Sequence, residues 1–325
     1  MNTGGKIQVP EQQPLTIMTV HAHPDDEVVF TGGTLVLYRR QGVRTVLVTA
    51  TSGEEGEIHD PDLDPDEARP RLGEIRREEL RKAVELLEIS DFEPLGYRDS
   101  GMDGTEANNH PESFNMSDRE EATARLVELV RKYKPQVLIT YDDFGAYGHP
   151  DHKACNVITL AAFDKAGDPS YRPELGEPWQ PLKLYYCAWP EENWKRAREM
   201  YIERGLKWPW DPEEQEQQKD DDPEHQTTEE GVIEQQVEQE KAEEEGKPPK
   251  YVPPPITTRI DVTSVFPQKH AATLVHRTQF DPNGLFTTMP EDVALVAFGE
   301  EVYSLVRSRV DAPEQEDDIL VGLST

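Results

Sequence analysis

The sequence predicts an α/β fold: a Rossmann-like, mostly parallel sheet with helices on both faces, completed by a smaller C-terminal α+β portion. Three observations carry this. Strand-like apolar runs alternate with helix-like periodicity four times within the first 165 residues, the order of a parallel sheet with right-handed crossovers. Each of those strand patterns runs directly into a polar, largely acidic cluster, as strands do at the carboxyl edge where open α/β sheets bind ligands. Finally, one acidic block breaks the chain late, and strand and helix patterns resume beyond it.

Residues 1–14 are polar and are expected to be loose. Ile17-Met18-Thr19-Val20 opens the fold as a short buried strand, and Pro24 then breaks it into three consecutive acids, Asp25, Asp26 and Glu27. A helix is expected from about Phe30 to Gln41, ending at Gly42. A second strand over 45–51 leads into Ser52-Gly53-Glu54-Glu55-Gly56-Glu57, which is either an active-site loop or a solvated turn. A helix follows over about 71–89. Leu72, Leu80, Ala83 and Leu87 share one sector of its wheel, flanked by Ile75 and Leu86. Arg76 falls in the same sector, so it either pairs with a buried carboxylate or reaches a cavity.

A third strand, Phe92–Tyr97, ends in Arg98-Asp99-Ser100-Gly101-Met102. Ser117 with Glu120 and Glu121 is expected to open a helix running to Tyr133. A fourth strand over 135–142 closes on Tyr141–His152 and enters a helix to Lys165. A fifth strand over 182–189 and a helix over 191–206 complete an α/β unit of 15–210. Residues 211–246 hold sixteen acids against two lysines, too polar to bury a core of their own, and 211–250 is set apart as an insertion. Residues 251–310 then complete the domain. They hold a short strand over 258–263, a helix over 264–279 and a final helix within 289–309. The acidic tail, 311–325, is expected to fray.

A formal net charge of −31 argues against nucleic acid or an anionic membrane as partner. The N-terminus has no apolar stretch of signal-peptide type, and no run approaches the ~20 apolar residues of a membrane span. Two isolated cysteines, Cys155 and Cys187, form no disulfide framework. A cytoplasmic enzyme of small molecules is the expected setting, with homo-oligomerisation left open.

The chemistry lies in two clusters, His21-Ala22-His23-Pro24-Asp25-Asp26-Glu27 and Tyr147-Gly148-His149-Pro150-Asp151-His152. Each follows a strand, so a parallel sheet brings both to one edge. Three N/O ligands with one open position make a catalytic zinc site. His23 and Asp26, three apart at a strand-to-helix turn, are able to share an ion, with His152 as the third ligand. Asp25, adjacent but not ligating, is placed to take a proton from water. His149 is then the candidate for protonating the leaving group or stabilising an oxyanion, with Asp151 orienting its ring. His21 alternates away from His23 and is expected to pack or hydrogen-bond. His270 and His276, on a late helix, are read as structural or near the substrate rather than as ligands.

The runs AHPDDE and GHPDH and the spacing between them resemble the LmbE/PIG-L family of zinc-dependent N-acetylglucosaminide deacetylases. TSGEEGE, IRREEL, RDSGM, AGDP with GEPWQPLKLYY, and HRTQFDP resemble its mycothiol branch in particular, over about 15–205 and 257–309. That branch holds an acetyl-glucosaminyl-inositol deacetylase and a mycothiol S-conjugate amidase. GEPWQPLKLYY leans to the amidase, and RDSGM with GHPDH to the deacetylase.

The resemblance implies one Zn2+ per chain (Fe2+ or another divalent ion being the alternative) on His23, Asp26 and His152. It implies Asp25 as base, His149 as acid oriented by Asp151, and Tyr147 as a mobile group polarising the amide carbonyl. It further implies Glu57, Arg76 and Asp99 as holders of sugar or inositol hydroxyls, which turns Arg76 towards substrate. The implied reaction is hydrolysis of the acetamide of an amino sugar. Its competitors are a thiol-conjugate amidase releasing a larger acid, a phosphoesterase needing two metals, and a non-catalytic metal-binding protein.

Overall fold

Every residue of β1 (Thr16–His21) is buried, because this strand lies near the middle of the sheet with layers on both faces. Burying Ile17, Met18 and Val20 completely contributes roughly 1.5–3 kcal/mol per side chain. The computed structural model describes residues 14–208 and 251–323; the acidic block, residues 1–13 and the last two residues lie outside them. The seven strands are ordered β3-β2-β1-β4-β5-β7-β6. β2 (Arg44–Thr51), β3 (Asp91–Tyr97), β4 (Val137–Thr140) and β5 (Lys183–Ala188) continue β1 in parallel. β7 (Glu300–Ser308) pairs antiparallel with β5 and with β6 (Thr258–Asp261). The sheet is therefore mostly parallel, as expected.

The helices follow the sequence pattern with instructive shifts. The helix expected over 30–41 is α2 (Gly32–Arg40), and a further short helix, α1 (Asp26–Phe30), precedes it across Thr31. Between α3 (Pro65–Ala68) and β3 runs α4 (Leu72–Leu86). α5 (Arg119–Tyr133) is capped by Asp118 rather than Ser117. The Asp118 carboxylate accepts the Glu120 and Glu121 amides at 2.8 and 3.3 Å, a reach that suits N2 and N3 donors. α6 (Pro150–Lys165) begins two residues before His152, with Pro150 in the first turn, where its missing N–H costs nothing. α7 (Glu191–Glu203), α8 (Phe266–Thr273), α9 (Leu285–Thr288) and α10 (Glu291–Phe298) complete the described set.

Two features depart from the sequence reading. The final helix expected within 289–309 is α10, and the rest of that stretch, which the sequence pattern assigned to no element, is β7. Its backbone is satisfied by β5 on one side and β6 on the other, partners that local periodicity does not reveal. The tail expected to fray is docked as far as 323. The carboxylate of Glu316 accepts from Lys183 Nζ at 2.6 Å, both side chains being fully buried. Ile319 is fully buried, and its amide donates to Tyr38 Oη at 2.9 Å. A second apolar cluster, including Trp194, Tyr201, Phe266, Leu285 and Val293, ties α7 to the C-terminal helices.

Candidate metal centre and active site

β1 and β4 are neighbours in the sheet, with Thr19 opposite Ile139, yet the chain visits β2 and β3 between them. Their carboxyl ends therefore open at the point where strand order reverses, the crevice in which such sheets bind ligands. The residues after β1 and those after β4 meet there across 120 positions of sequence. Tyr141, fully buried, joins the two. Its hydroxyl accepts the Ala22 amide at 2.8 Å, and its ring stacks on His152 with centroids 3.9 Å apart. His21 turns inward, with Nε2 2.8 Å from Thr31 Oγ1, and burial lowers its pKa to about 4.

His23 Nδ1 lies 3.3 Å from His152 Nε2 and 3.4 Å from Asp26 Oδ2, and His152 Nε2 lies 3.4 Å from Asp26 Oδ1. A tetrahedral ion with bonds of ~2.0–2.1 Å has donor-to-donor edges of about 3.3–3.4 Å, and the three side chains converge to that spacing, Asp26 meeting His23 through one oxygen and His152 through the other. Asp26 is itself held by the His23 amide, which donates to Oδ2 at 2.8 Å. Burial would raise its carboxyl, but the rings of His152 and His23 outweigh that and hold it well below the usual range.

The other nitrogen of His23, Nε2, faces Asp151 Oδ2 at 3.4 Å and Asp99 Oδ1 at 3.6 Å. Metal-binding imidazoles commonly donate their second N–H to a carboxylate in this way. Burial disfavours a charged His23, yet Asp99, Asp151 and Asp26 overcome it and raise its pKa well above the ordinary value. Carboxylates thus face both ring nitrogens of His23. His149 also brings a nitrogen within 4.8 Å of donors on His23 and His152. Its Nδ1, however, accepts the Asp151 amide at 3.1 Å, which leaves Nε2 as its free face.

Asp25 sits at the strand-to-helix corner with φ 123° and ψ −33°, a conformation costing a non-glycine residue about 1–3 kcal/mol. Burial pushes its carboxyl up to about 7, against the pull of the Arg76 guanidinium. Arg76 Nη2 donates to Asp25 Oδ2 at 2.6 Å and to the Pro24 carbonyl at 2.6 Å, while Nη1 donates to the Gly53 carbonyl at 2.9 Å. Of the two readings open from the wheel, the structure shows the pair with a buried carboxylate; Arg76 is 3% exposed. Its guanidinium lies against Gly53, where a Cβ would come within 2.3 Å of it, and against Gly56 likewise. The glycines of the TSGEEGE loop are therefore needed for close approach.

The remaining residues take distinct places. The Asp151 carboxylate is held by the Ser100 amide at 3.0 Å and by the Ser100 hydroxyl, so its side chain serves His23 and only its backbone meets His149. Asp99 is buried and accepts the Gly101 and Glu55 amides at 2.8 and 3.2 Å. Glu57 is half-buried at the rim, 2.7 Å from His59. The Tyr147 ring lies 4.9 Å from that of His152 and 6.1 Å from that of His149. Burial first, and the rings of His23 and His152 next, keep His149 well below the ordinary histidine pKa. Sequence reasoning missed Tyr141, Ser100 and the part played by Glu27, whose Oε2 accepts the Asp25 amide at 2.9 Å. All three carried the same signal, a place in the polar clusters that end β3, β4 and β1.

The family model described as PIG-L: GlcNAc-PI de-N-acetylase matches residues 18–163. A protein of Geodermatophilus obscurus named 1D-myo-inositol 2-acetamido-2-deoxy-α-D-glucopyranoside deacetylase is 36% identical over 94% of this chain and 97% of its own. One of the same name from Streptomyces avermitilis is 37% identical over 95% and 97%. Among solved structures, the N,N'-diacetylchitobiose deacetylase of Pyrococcus horikoshii superposes with a TM-score of 0.56 at 17% identity, covering 91% of this chain and 85% of that one. A 4-carboxy-2-hydroxymuconate hydratase from Pseudomonas putida does so at 0.52 and 18%, covering 92% and 98%, so the fold by itself does not set the reaction. Sequence and fold together define a hydrolytic deacetylase. The chain belongs to the PIG-L (GlcNAc-PI de-N-acetylase) family. No helix among the described residues is long and apolar enough to cross a membrane.

Proposed function

We propose that this enzyme removes the acetyl group from an N-acetylglucosaminyl-inositol conjugate in the cytoplasm, with one Zn2+ held by His23, Asp26 and His152. The observation that carries it is the convergence of His23, Asp26 and His152, each pair of side chains approaching to 3.3–3.4 Å, with the buried Asp25 next in the chain to Asp26. The substrate class is supported by the names of the relatives that align along nearly the whole chain. When bound, the ion makes a water acidic near neutrality and polarises the amide carbonyl.

Asp25, poised near pH 7, takes the proton from the attacking water. Tyr147 reaches the developing oxyanion from the rim. His149, with Nδ1 engaged by the Asp151 amide, carries its proton on Nε2 and delivers it to the departing nitrogen, and the proton that Asp25 took from water replaces it. Water adds to the carbonyl carbon, the C–N bond breaks, and acetate and the free amine leave. Asp99 and Asp151 orient His23, Arg76 holds Asp25 from below, and Glu57 at the rim is offered to substrate hydroxyls.

The amidase alternative rests on the likeness of GEPWQPLKLYY. Trp179 of that run donates to the Pro135 carbonyl at 2.7 Å, and the Leu182 amide to the Gln136 carbonyl at 2.8 Å. Both contacts lie at the entry of β4, the opposite sheet edge from the catalytic residues, so the start of this run has no means of selecting the acyl group. The test is product analysis on N-acetylglucosaminyl-inositol, N-acetylglucosamine and an S-conjugate, with chelator and zinc add-back. Acetate release that is lost to chelator and restored by zinc is expected. A larger acid as the main product, or indifference to chelator, overturns the proposal.

A further inference from the structure

The HRTQF run is a sequence feature that the reaction above leaves unused. It follows α8, and its first residue, His276, is fully buried, as is Glu27. His276 Nε2 lies 2.6 Å from Glu27 Oε1, and the other oxygen of the same carboxylate accepts the Asp25 amide at 2.9 Å. We propose that His276 and Glu27 are positioning residues: a strut from the C-terminal part of the chain that fixes the backbone of the Asp25 base. This rests on Asp25 acting as the base.

The alternative is that the pair only stabilises the fold. A buried imidazole–carboxylate pair is a poor device for that, because apolar residues of the same volume often serve as well or better. Its placement is what points to function. The Asp25 backbone has φ 123°, and its inward amide needs a fixed acceptor, which Glu27 supplies. Glu27 turns its second oxygen away from solvent and needs a donor, which His276 supplies.

The same run reaches the substrate side. The Thr278 amide and hydroxyl donate to Glu79 at 2.9 and 2.6 Å, on the helix that carries Arg76. Gln279 Nε2 donates to the Glu57 carbonyl at 3.0 Å, and the His59 amide donates to the Thr278 carbonyl at 2.9 Å. Asp25 is thereby gripped twice, by Arg76 at its carboxylate and by the strut at its amide, and one short run links that grip to the loop bearing Glu57. A catalytic group displaced by about 1 Å can cost on the order of 100-fold in rate.

The test measures kcat, KM and bound zinc for acetate release by the full-length, zinc-loaded enzyme carrying His276→Leu, His276→Gln, Glu27→Gln or Asp25→Asn. Gln at 276 keeps an N–H near the Nε2 position, whereas Leu removes it. His276→Leu and Glu27→Gln should lower kcat by about 10- to 100-fold, with KM and zinc content held. His276→Gln should recover most of the loss, and the double variant His276→Leu with Glu27→Gln should be no worse than the worse single. Equal impairment of the Leu and Gln variants, loss through KM or zinc, or an unchanged His276→Leu overturns the strut. Should His276→Leu fail to fold, His276→Gln against Glu27→Gln decides by the same criterion. An active Asp25→Asn removes the base assignment itself, whereas an inactive one beside a fully active His276→Leu removes only the strut.

Discussion

Replacing Arg76 with methionine keeps the apolar stem and removes the charge that faces Asp25. The guanidinium donates to the Asp25 carboxylate at 2.6 Å with Arg76 only 3% exposed. Unit charges about 4 Å apart at an effective dielectric near 20 interact by ~4 kcal/mol. At 1.36 kcal/mol per pKa unit this corresponds to an upper value of about 3 units, and opposite charges at this range commonly shift carboxylates by about 1–3. The sign follows from the charge. The guanidinium favours carboxylate over acid, so its removal raises the Asp25 pKa from its position near 7. The base works deprotonated, so the acid limb of kcat/KM must move to higher pH. A bound dication lowers the limb in both proteins, which makes the displacement the diagnostic quantity rather than either midpoint. The assay is acetate release against pH for wild type and Arg76→Met at equal zinc occupancy. From a wild-type limb near 7, activity at pH 7 should fall by about 5- to 500-fold and return in part as pH rises. A limb that stays in place, or moves to lower pH, refutes the assignment of Arg76 as the partner that keeps Asp25 ionised.

Asp151→Asn weakens the carboxylate that faces His23 Nε2 at 3.4 Å. It should lower zinc affinity by about 10- to 100-fold in a chelator competition, and unchanged affinity would show that Asp151 acts elsewhere. Glu316→Ala leaves the buried Lys183 without its counter-charge, donating only to the Val321 and Ile319 carbonyls. It should cost about 3–5 kcal/mol in denaturant unfolding, whereas a loss near zero would mean that the tail is not docked. Gly53→Ala puts a Cβ within 2.3 Å of the Arg76 guanidinium at a backbone φ of +70°. Turnover should drop together with stability, and wild-type kinetics would rule out the tight loop-to-guanidinium contact.

The sequence by itself determined the parallel α/β class and the two histidine-acid clusters, because both are local. A strand shows its period within a few residues, and a strand-to-helix turn delivers His23 and Asp26 to one point through their spacing alone. It left Arg76 open between a buried pair and a cavity, since a wheel assigns a face without naming what lies against it. Only the tertiary structure decided that partner, Asp25, and turned the Asp151 carboxylate towards His23 instead of His149. It also decided that EEVYSLVRS is a strand, that Glu316 closes the fold, and that His276 stands behind Glu27. Each of these depends on a partner tens to hundreds of residues away. Hydrogen bonds and ion pairs act over about 3 Å of space whatever the separation along the chain, so residue pattern supplies the donors and acceptors but not their matching.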